Sequence, residues 1–237
     1  MKSPVIYIFC FMVACSVCAQ EQNPEMIIDD NINSYLKAVN NYAVIYTGKE
    51  EPVYNVRTLN HPYLDTYEFR IGELSYEGRV YKDAMLRLNH DIGELIIMNP
   101  NKTLSIIVPK DRLDYAIIDS LYILYHKPVS ADGMELQEGF YVRTYKGDHE
   151  IWRRETCFLN TNIKDHELEY FFEKKLRIYI YKDGVYNLVK NKGSLLNFFA
   201  SKKKELKKYI KQNGLSFNKD PDMVIVYVTR YYDNLNK

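Results

Sequence analysis

The chain is poor in cysteine, with four in 237 residues, and three of these, Cys10, Cys15 and Cys18, fall before Ala19. Loss of that leading segment would leave Cys157 alone, which excludes an intramolecular disulfide and makes an ordinary hydrophobic core responsible for stability. There is no surplus of either charge, 32 basic against 31 acidic side chains, so net charge points to no partner. No apolar run is long enough to span a bilayer; the run from Val5 to Ala14 is too short. A Gly-rich phosphate loop, a Gly-x-Ser-x-Gly elbow and a dinucleotide fingerprint are all missing, which removes the motif grounds for nucleotide or α/β-hydrolase chemistry. The five histidines, His61, His90, His126, His149 and His166, are scattered singly, with no His-x-x-x-His or Cys-x-x-Cys spacing to hold a metal. Neither a metal nor any other cofactor is expected.

What is present begins with an address. Lys2, the run 5–14 and the small-residue site Val17-Cys18-Ala19 have the three parts of a secretory signal peptide. Residues 1–19 are thus expected to be a leader and 20–237 a single domain of roughly 218 residues, exported to the periplasm or the outer membrane. A competing reading makes Met12-Val13-Ala14-Cys15 a degenerate lipobox, with Cys15 as the acylated first residue of a lipoprotein.

The body of the chain is organised around residues 67–108, where apolar residues recur with the period of two that a strand imposes. Tyr67, Phe69 and Ile71 alternate with Glu68 and Arg70. Leu74 and Tyr76 continue out of phase, which places a bulge at Gly72. Glu77-Gly78 supplies a two-residue turn that sets Leu74 opposite Tyr81. Ala84, Leu86 and Leu88 form an inward row with Met85 and Arg87 outward, and residues 95–98 are a continuous apolar run suited to a strand covered on both faces. Leu104, Ile106 and Val108 close the meander.

Elsewhere, Ile32, Tyr35, Leu36 and Val39 fall at helical spacing, and residues 42–46 read as extended. Residues 47–66 have no period and form a long connection draped over the sheet. Strand regions follow at 115–125, interrupted at Asp119-Ser120, and at 140–145 and 150–159 around Lys146-Gly147-Asp148. Residues 176–180 and 185–189 pair around Asp183-Gly184. Ser194 is expected to cap a helix that stops at Gly214, and Asp220-Pro221 to start a second helix, with a terminal strand over 223–229 as its rival.

Candidate chemistry is thin. Lys203, Lys207 and Lys208 belong to a concentrated basic face on the first tail helix; behind a signal peptide this suits acidic lipids, phosphate-bearing glycolipids or an acidic protein patch, and not nucleic acid. Cys157 lacks a base at a cysteine-protease spacing. His90-Asp91-Ile92-Gly93 fails as an aspartic-protease turn, because an apolar strand should precede the aspartate. Asn101-Lys102-Thr103 fits the short glycosylation pattern.

The segments Tyr46-Thr47-Gly48-Lys49-Glu50, Asn60-His61-Pro62-Tyr63 and Gly72-Glu73-Leu74-Ser75-Tyr76-Glu77-Gly78-Arg79-Val80-Tyr81, with the Lys-rich helix and Leu215-Ser216-Phe217, resemble a group of uncharacterised secreted proteins of Bacteroidota. The resemblance implies export and a β-rich fold and carries no activity. The expected architecture is α+β: an antiparallel, twisted sheet or partly open barrel, a short N-terminal helix, and a helical C-terminal part over 194–237. The expected function is non-enzymatic binding or scaffolding at the cell envelope, with Tyr76, Tyr81, His61 and the three lysines as contacts for a lipid, glycan or protein. The alternative is a hydrolase gathering His61, Asp65 and Cys157 beneath the long connection.

Overall fold

Ten antiparallel strands form one open sheet in the computed structural model, which describes residues 44–127 and 136–235. The strands are β1 (Arg70–Tyr76), β2 (Arg79–Asn89), β3 (Glu94–Met98), β4 (Ser105–Ile107), β5 (Leu113–Ile118), β6 (Leu121–His126), β7 (Gly139–Lys146), β8 (Glu150–Lys164), β9 (Glu167–Lys182) and β10 (Val185–Leu188). Their order is β10-β9-β8-β7-β6-β5-β1-β2-β3-β4. Two meanders therefore run away from the β1–β5 seam, and residues 108–112 carry the chain back from the far edge to that seam. The expected leader, lipobox and N-terminal helix lie outside the described residues.

The turns follow from local chemistry. Tyr76 pairs with Arg79 and Lys182 with Val185, leaving Glu77-Gly78 and Asp183-Gly184 as two-residue turns whose four residues all have positive φ. This is the hairpin turn whose twist matches that of the strands it joins. Asp119-Ser120 and Asp165-His166 do the same without glycine, so the β8–β9 hairpin runs on to Lys164, well past the expected end of the strand at Leu159. Leu74 faces Tyr81, and the register slips between Gly72 and Leu74, as the alternation implies.

That slip decides which side chains go inward. Leu74 and Tyr76 are buried after it, whereas Tyr67 and Ile71 before it are exposed, so the early apolar row belongs to the outer face. Leu95, Ile96 and Ile97 are wholly buried, a strand covered on both sides. Residues 42–46 were expected to be extended, but a 3-10 turn occupies Val44–Tyr46.

Helices α1 (Lys192–Phe198), α2 (Lys203–Gln212) and α3 (Pro221–Leu235) cover one face of the β8–β10 end. Ile151, Ile178 and Ile180 meet Leu195, Leu196, Phe199, Leu206, Ile210, Val224, Ile225 and Val228 there. The opposite face carries an aromatic cluster of Tyr141, Trp152 and Tyr179. Asn191, not Ser194, caps α1: its side chain accepts from the Ser194 N–H while the Ser194 hydroxyl accepts from the Asn191 N–H, the reciprocal capping box. A 3-10 turn at Ala200–Lys202 separates α1 from α2, where a single helix was expected. Leu215 N–H to Ile210 O and Gly214 N–H to Lys211 O end α2 in a Schellman motif. Asp220 caps α3 through the Met223 N–H, 2.9 Å, so packing outweighs the β propensity of residues 223–229. Among the described residues no helix is long and apolar enough to cross a membrane.

At Gly72 the β5 backbone leaves no room for a side chain. A Cβ there would lie 2.2 Å from the Ile117 carbonyl oxygen. Gly72→Val is expected to cost about 2–3 kcal/mol through overpacking of the central seam, read as a lower urea midpoint at unchanged m-value.

Candidate binding cleft

Residues 47–66 form a strap that is stitched to the sheet at three places. Glu51 N–H to Ser105 O and Ile107 N–H to Lys49 O add a short stretch to the free edge of β4. Leu59 N–H to Tyr170 O, with the Asn60 amide bonding both N–H and O of Phe172, fixes the middle to β9. Leu64 N–H to Leu88 O and His90 N–H to Pro62 O fix its end beside β2. The strap thereby links strands that lie far apart in the sheet order. It satisfies its own backbone by borrowing sheet edges.

Its anchor is a buried ion pair. Arg87 points outward from β2 and is nevertheless buried, because the strap lies on it. Its Nη2 is 2.5 Å from Glu51 Oε2, and its guanidinium carbon stands 4.0 Å from the Tyr63 ring centre and 4.1 Å from that of Phe69. Asn89 Nδ2 donates to Glu51 Oε1, and Tyr54 donates its hydroxyl to Asp91. A planar guanidinium between rings, with its charge met by a carboxylate, is how a cation is kept under a loop.

Between strap and sheet lies a cleft of about 500 Å³. Tyr54, His61, Tyr63, Tyr67 and Phe172 supply rings, and Glu50, Asn60, Arg87, Thr103 and Ser105 supply polar groups. Tyr54 and Phe172 meet edge to face at 5.1 Å, and His61 lies against Tyr63 and Tyr67. Burial, helped by Lys174, holds the His61 pKa below its ordinary value, and its Nδ1 accepts the Tyr63 N–H.

The other sequence candidates fall elsewhere. Tyr76 and Tyr81 are core residues, 2% and 6% exposed. Lys207 and Lys208 are exposed on α2, while Lys203 donates to Asn197 at 2.8 Å. Of the three residues in the hydrolase reading, only His61 lines the cleft. Asp65 is paired with Arg153 at 3.0 Å. Cys157 is buried with its thiol toward the Pro62 carbonyl, 3.8 Å, and burial pushes its pKa up to about 12, away from a reactive thiolate. No group of three or more metal-ligating side chains occurs among the described residues.

Two clusters had no counterpart in the sequence reading. Asp233 of α3 accepts from His149 Nδ1 at 2.6 Å, from the His149 N–H and from the Tyr145 hydroxyl, pinning the last helix to the β7–β8 turn. The His149 ring lies edge to face against Phe198, Phe199 and Tyr232. At the strap's end, Arg153 binds Asp65 and Asp222, and buried His90 stands 3.7 Å from Glu155, which Lys174 also pairs. Comparison with protein-family models, curated proteins and solved structures finds no match to this chain.

Removing one member of the strap anchor strands the other. Arg87→Met is expected to cost about 3–5 kcal/mol, and adding Glu51→Gln to recover part of it, measured as a double-mutant cycle in urea. A second prediction concerns pH. Burial holds His90 at about 4, with Glu155 opposing and Lys174 and Arg153 assisting. A histidine whose folded pKa lies below its unfolded value binds its proton in the unfolded chain first, so its contribution is complete above about pH 6.5 and lost as pH falls toward 4. Wild type should lose about 3 kcal/mol more than His90→Phe over that window, compared by unfolding both proteins at each pH.

Proposed function

We propose that this protein is a non-enzymatic binding protein of the cell envelope that holds a glycan in the cleft beneath the strap. The observation that carries the reading is the composition of the cleft wall, which brings the rings of Tyr54, His61, Tyr63, Tyr67 and Phe172 together with carboxylate, amide and hydroxyl groups. A sugar has the matching mixture, apolar C–H faces edged by hydroxyls, and is bound by stacking plus convergent hydrogen bonds. A lipid acyl chain would require a continuous apolar wall. The buried Arg87 is matched by Glu51, so among the described residues the cleft offers no unpaired arginine or lysine to an anionic headgroup. Export rests on the leader pattern of residues 1–19.

The supporting details concern preorganisation. Tyr54 is held by its bond to Asp91 and its contact with Phe172, and Asn60 by two bonds to the Phe172 backbone. Rings held in place lose little freedom on binding. Tyr67 presents an exposed ring at the rim while its carbonyl is tied to Arg87. Substitution of the ring keeps that backbone bond and the Glu51 pair, while removing the ring's own contacts with Arg87 at 5.5 Å and Tyr63 at 5.3 Å.

Screening neutral and acidic oligosaccharides on an array, followed by titration calorimetry of the best binder, tests this. Tyr67→Ala and His61→Ala are each expected to weaken it about tenfold, equal to about 1.4 kcal/mol, with unchanged circular dichroism. Failure of every oligosaccharide to bind, or binding indifferent to both substitutions, would overturn the glycan reading.

A further inference from the structure

The β8–β9 hairpin extends as an arm beyond the rest of the sheet. β7 pairs with β8 only as far as Arg153, and among the described residues the one further backbone bond on that side is Cys157 N–H to His90 O, 3.2 Å. From Phe158 to Lys164 the strand is exposed, including Phe158, Leu159 and Ile163 at 54%, 41% and 74%. Lys164 pairs with Glu167 across a two-residue turn, so even-numbered residues of β8 direct their backbone groups to β9. The odd-numbered residues Leu159, Thr161 and Ile163 direct theirs to the open edge. Among the described residues no backbone partner meets them there. The Thr161 N–H is held by the neighbouring Asn160 side chain, 2.9 Å.

Open edges are ordinarily blunted by proline, a bulge or an inward charge. Residues 158–163 contain none of these. Instead the segment Phe158-Leu159-Asn160-Thr161-Asn162-Ile163-Lys164 is complementary to its own reverse. In an antiparallel pairing about a two-fold axis at Thr161, Leu159 faces Ile163 of the second copy and Thr161 faces Thr161. On the other face Asn160 meets Asn162 and Phe158 meets Lys164. Phe158 already accepts a cation over its ring, from Lys175 at 5.2 Å. No like charges are opposed, and the three residues whose backbone groups point to the open edge fall on hydrogen-bonded pairs, the Thr161 N–H exchanging its Asn160 side-chain acceptor for the second copy, so backbone parity permits this register and the side-chain match selects it. A centre one residue away keeps the odd-with-odd pairing but places Leu159 or Ile163 against threonine, while a centre between two residues pairs odd with even and loses the bonds.

We infer that the open edge of β8 is a self-pairing surface, and that its occupant is β8 of a second copy of this chain. Leu159, Thr161 and Ile163 each exchange both backbone bonds across the axis. Leu168 and Tyr170, which lie across β9 from Ile163 and Thr161, extend the apolar rows through a four-stranded sheet spanning both molecules. The symmetry is closed, so pairing stops at two copies. A contact one strand long lies at the small end of specific interfaces, which places the dissociation constant in the micromolar range.

Sedimentation of the full chain between about 1 and 500 μM, brackets for such an affinity, should show a reversible monomer–dimer equilibrium. Thr161→Pro removes an N–H that points away from β9, so it should abolish the dimer at an unchanged melting temperature. Ile163→Lys should do the same. Thr161→Cys should form a dimer disulfide on mild oxidation, since the axis sets the two positions directly opposite, within disulfide reach; Cys157 is buried and does not compete. A chain that stays monomeric without that crosslink, or a dimer that survives Thr161→Pro and Ile163→Lys, would overturn the inference.

Discussion

A charged pair buried under a loop, Glu51 against Arg87, is the constraint on which the strap and its cleft rest. Two ions removed from water are costly unless their geometry and remaining hydrogen bonds compensate. Here the guanidinium is sandwiched between Tyr63 and Phe69, and the carboxylate takes a second donor from Asn89. The pair fixes one position of the strap with little tolerance for sliding. The backbone bridges to β4, β9 and β2 then follow, because only that placement satisfies the strap's peptide groups along borrowed edges.

The strap also explains why this open sheet has few bare edges. β4 is extended by residues 49–51, and the distal part of β9 is met by residues 58–60. The His90 carbonyl reaches Cys157, drawing the β2–β3 turn against β8. The sheet is curled and partly sealed without the ladder that would close a barrel. The remaining portion of β8 is left uncovered, and its sequence matches itself.

Much of the architecture was legible where period and turn chemistry agreed. The bulge at Gly72, the opposition of Leu74 and Tyr81, and the turns at Glu77-Gly78 and Asp183-Gly184 follow from alternation plus the residues that tolerate positive φ. The Asp165-His166 turn was not legible, since neither residue is glycine and the flanking run is polar on one face. The apolar row of Tyr67, Phe69 and Ile71 misled because alternation identifies a face without saying which face is inner. Of the cleft, His61 and the draped connection were visible in the sequence. Arg87 was assigned outward, correctly in direction, but its burial depends on a segment some thirty-five residues earlier. One signal was available: a lone arginine among Leu86, Leu88 and the apolar run that follows needs a partner if anything covers it.

The pin between Asp233 and the β7–β8 turn has a further meaning in time. Ile151, Ile178 and Ile180 present a greasy surface that is covered mainly by the three helices, and the bond that locks this cover engages Asp233 of α3. As the polypeptide grows from its N-terminus, β8 and β9 must wait, bare on one side, until the three helices have been made. Closure of this face therefore waits for α3, and until then the nascent molecule remains a substrate for whatever holds unfolded chains.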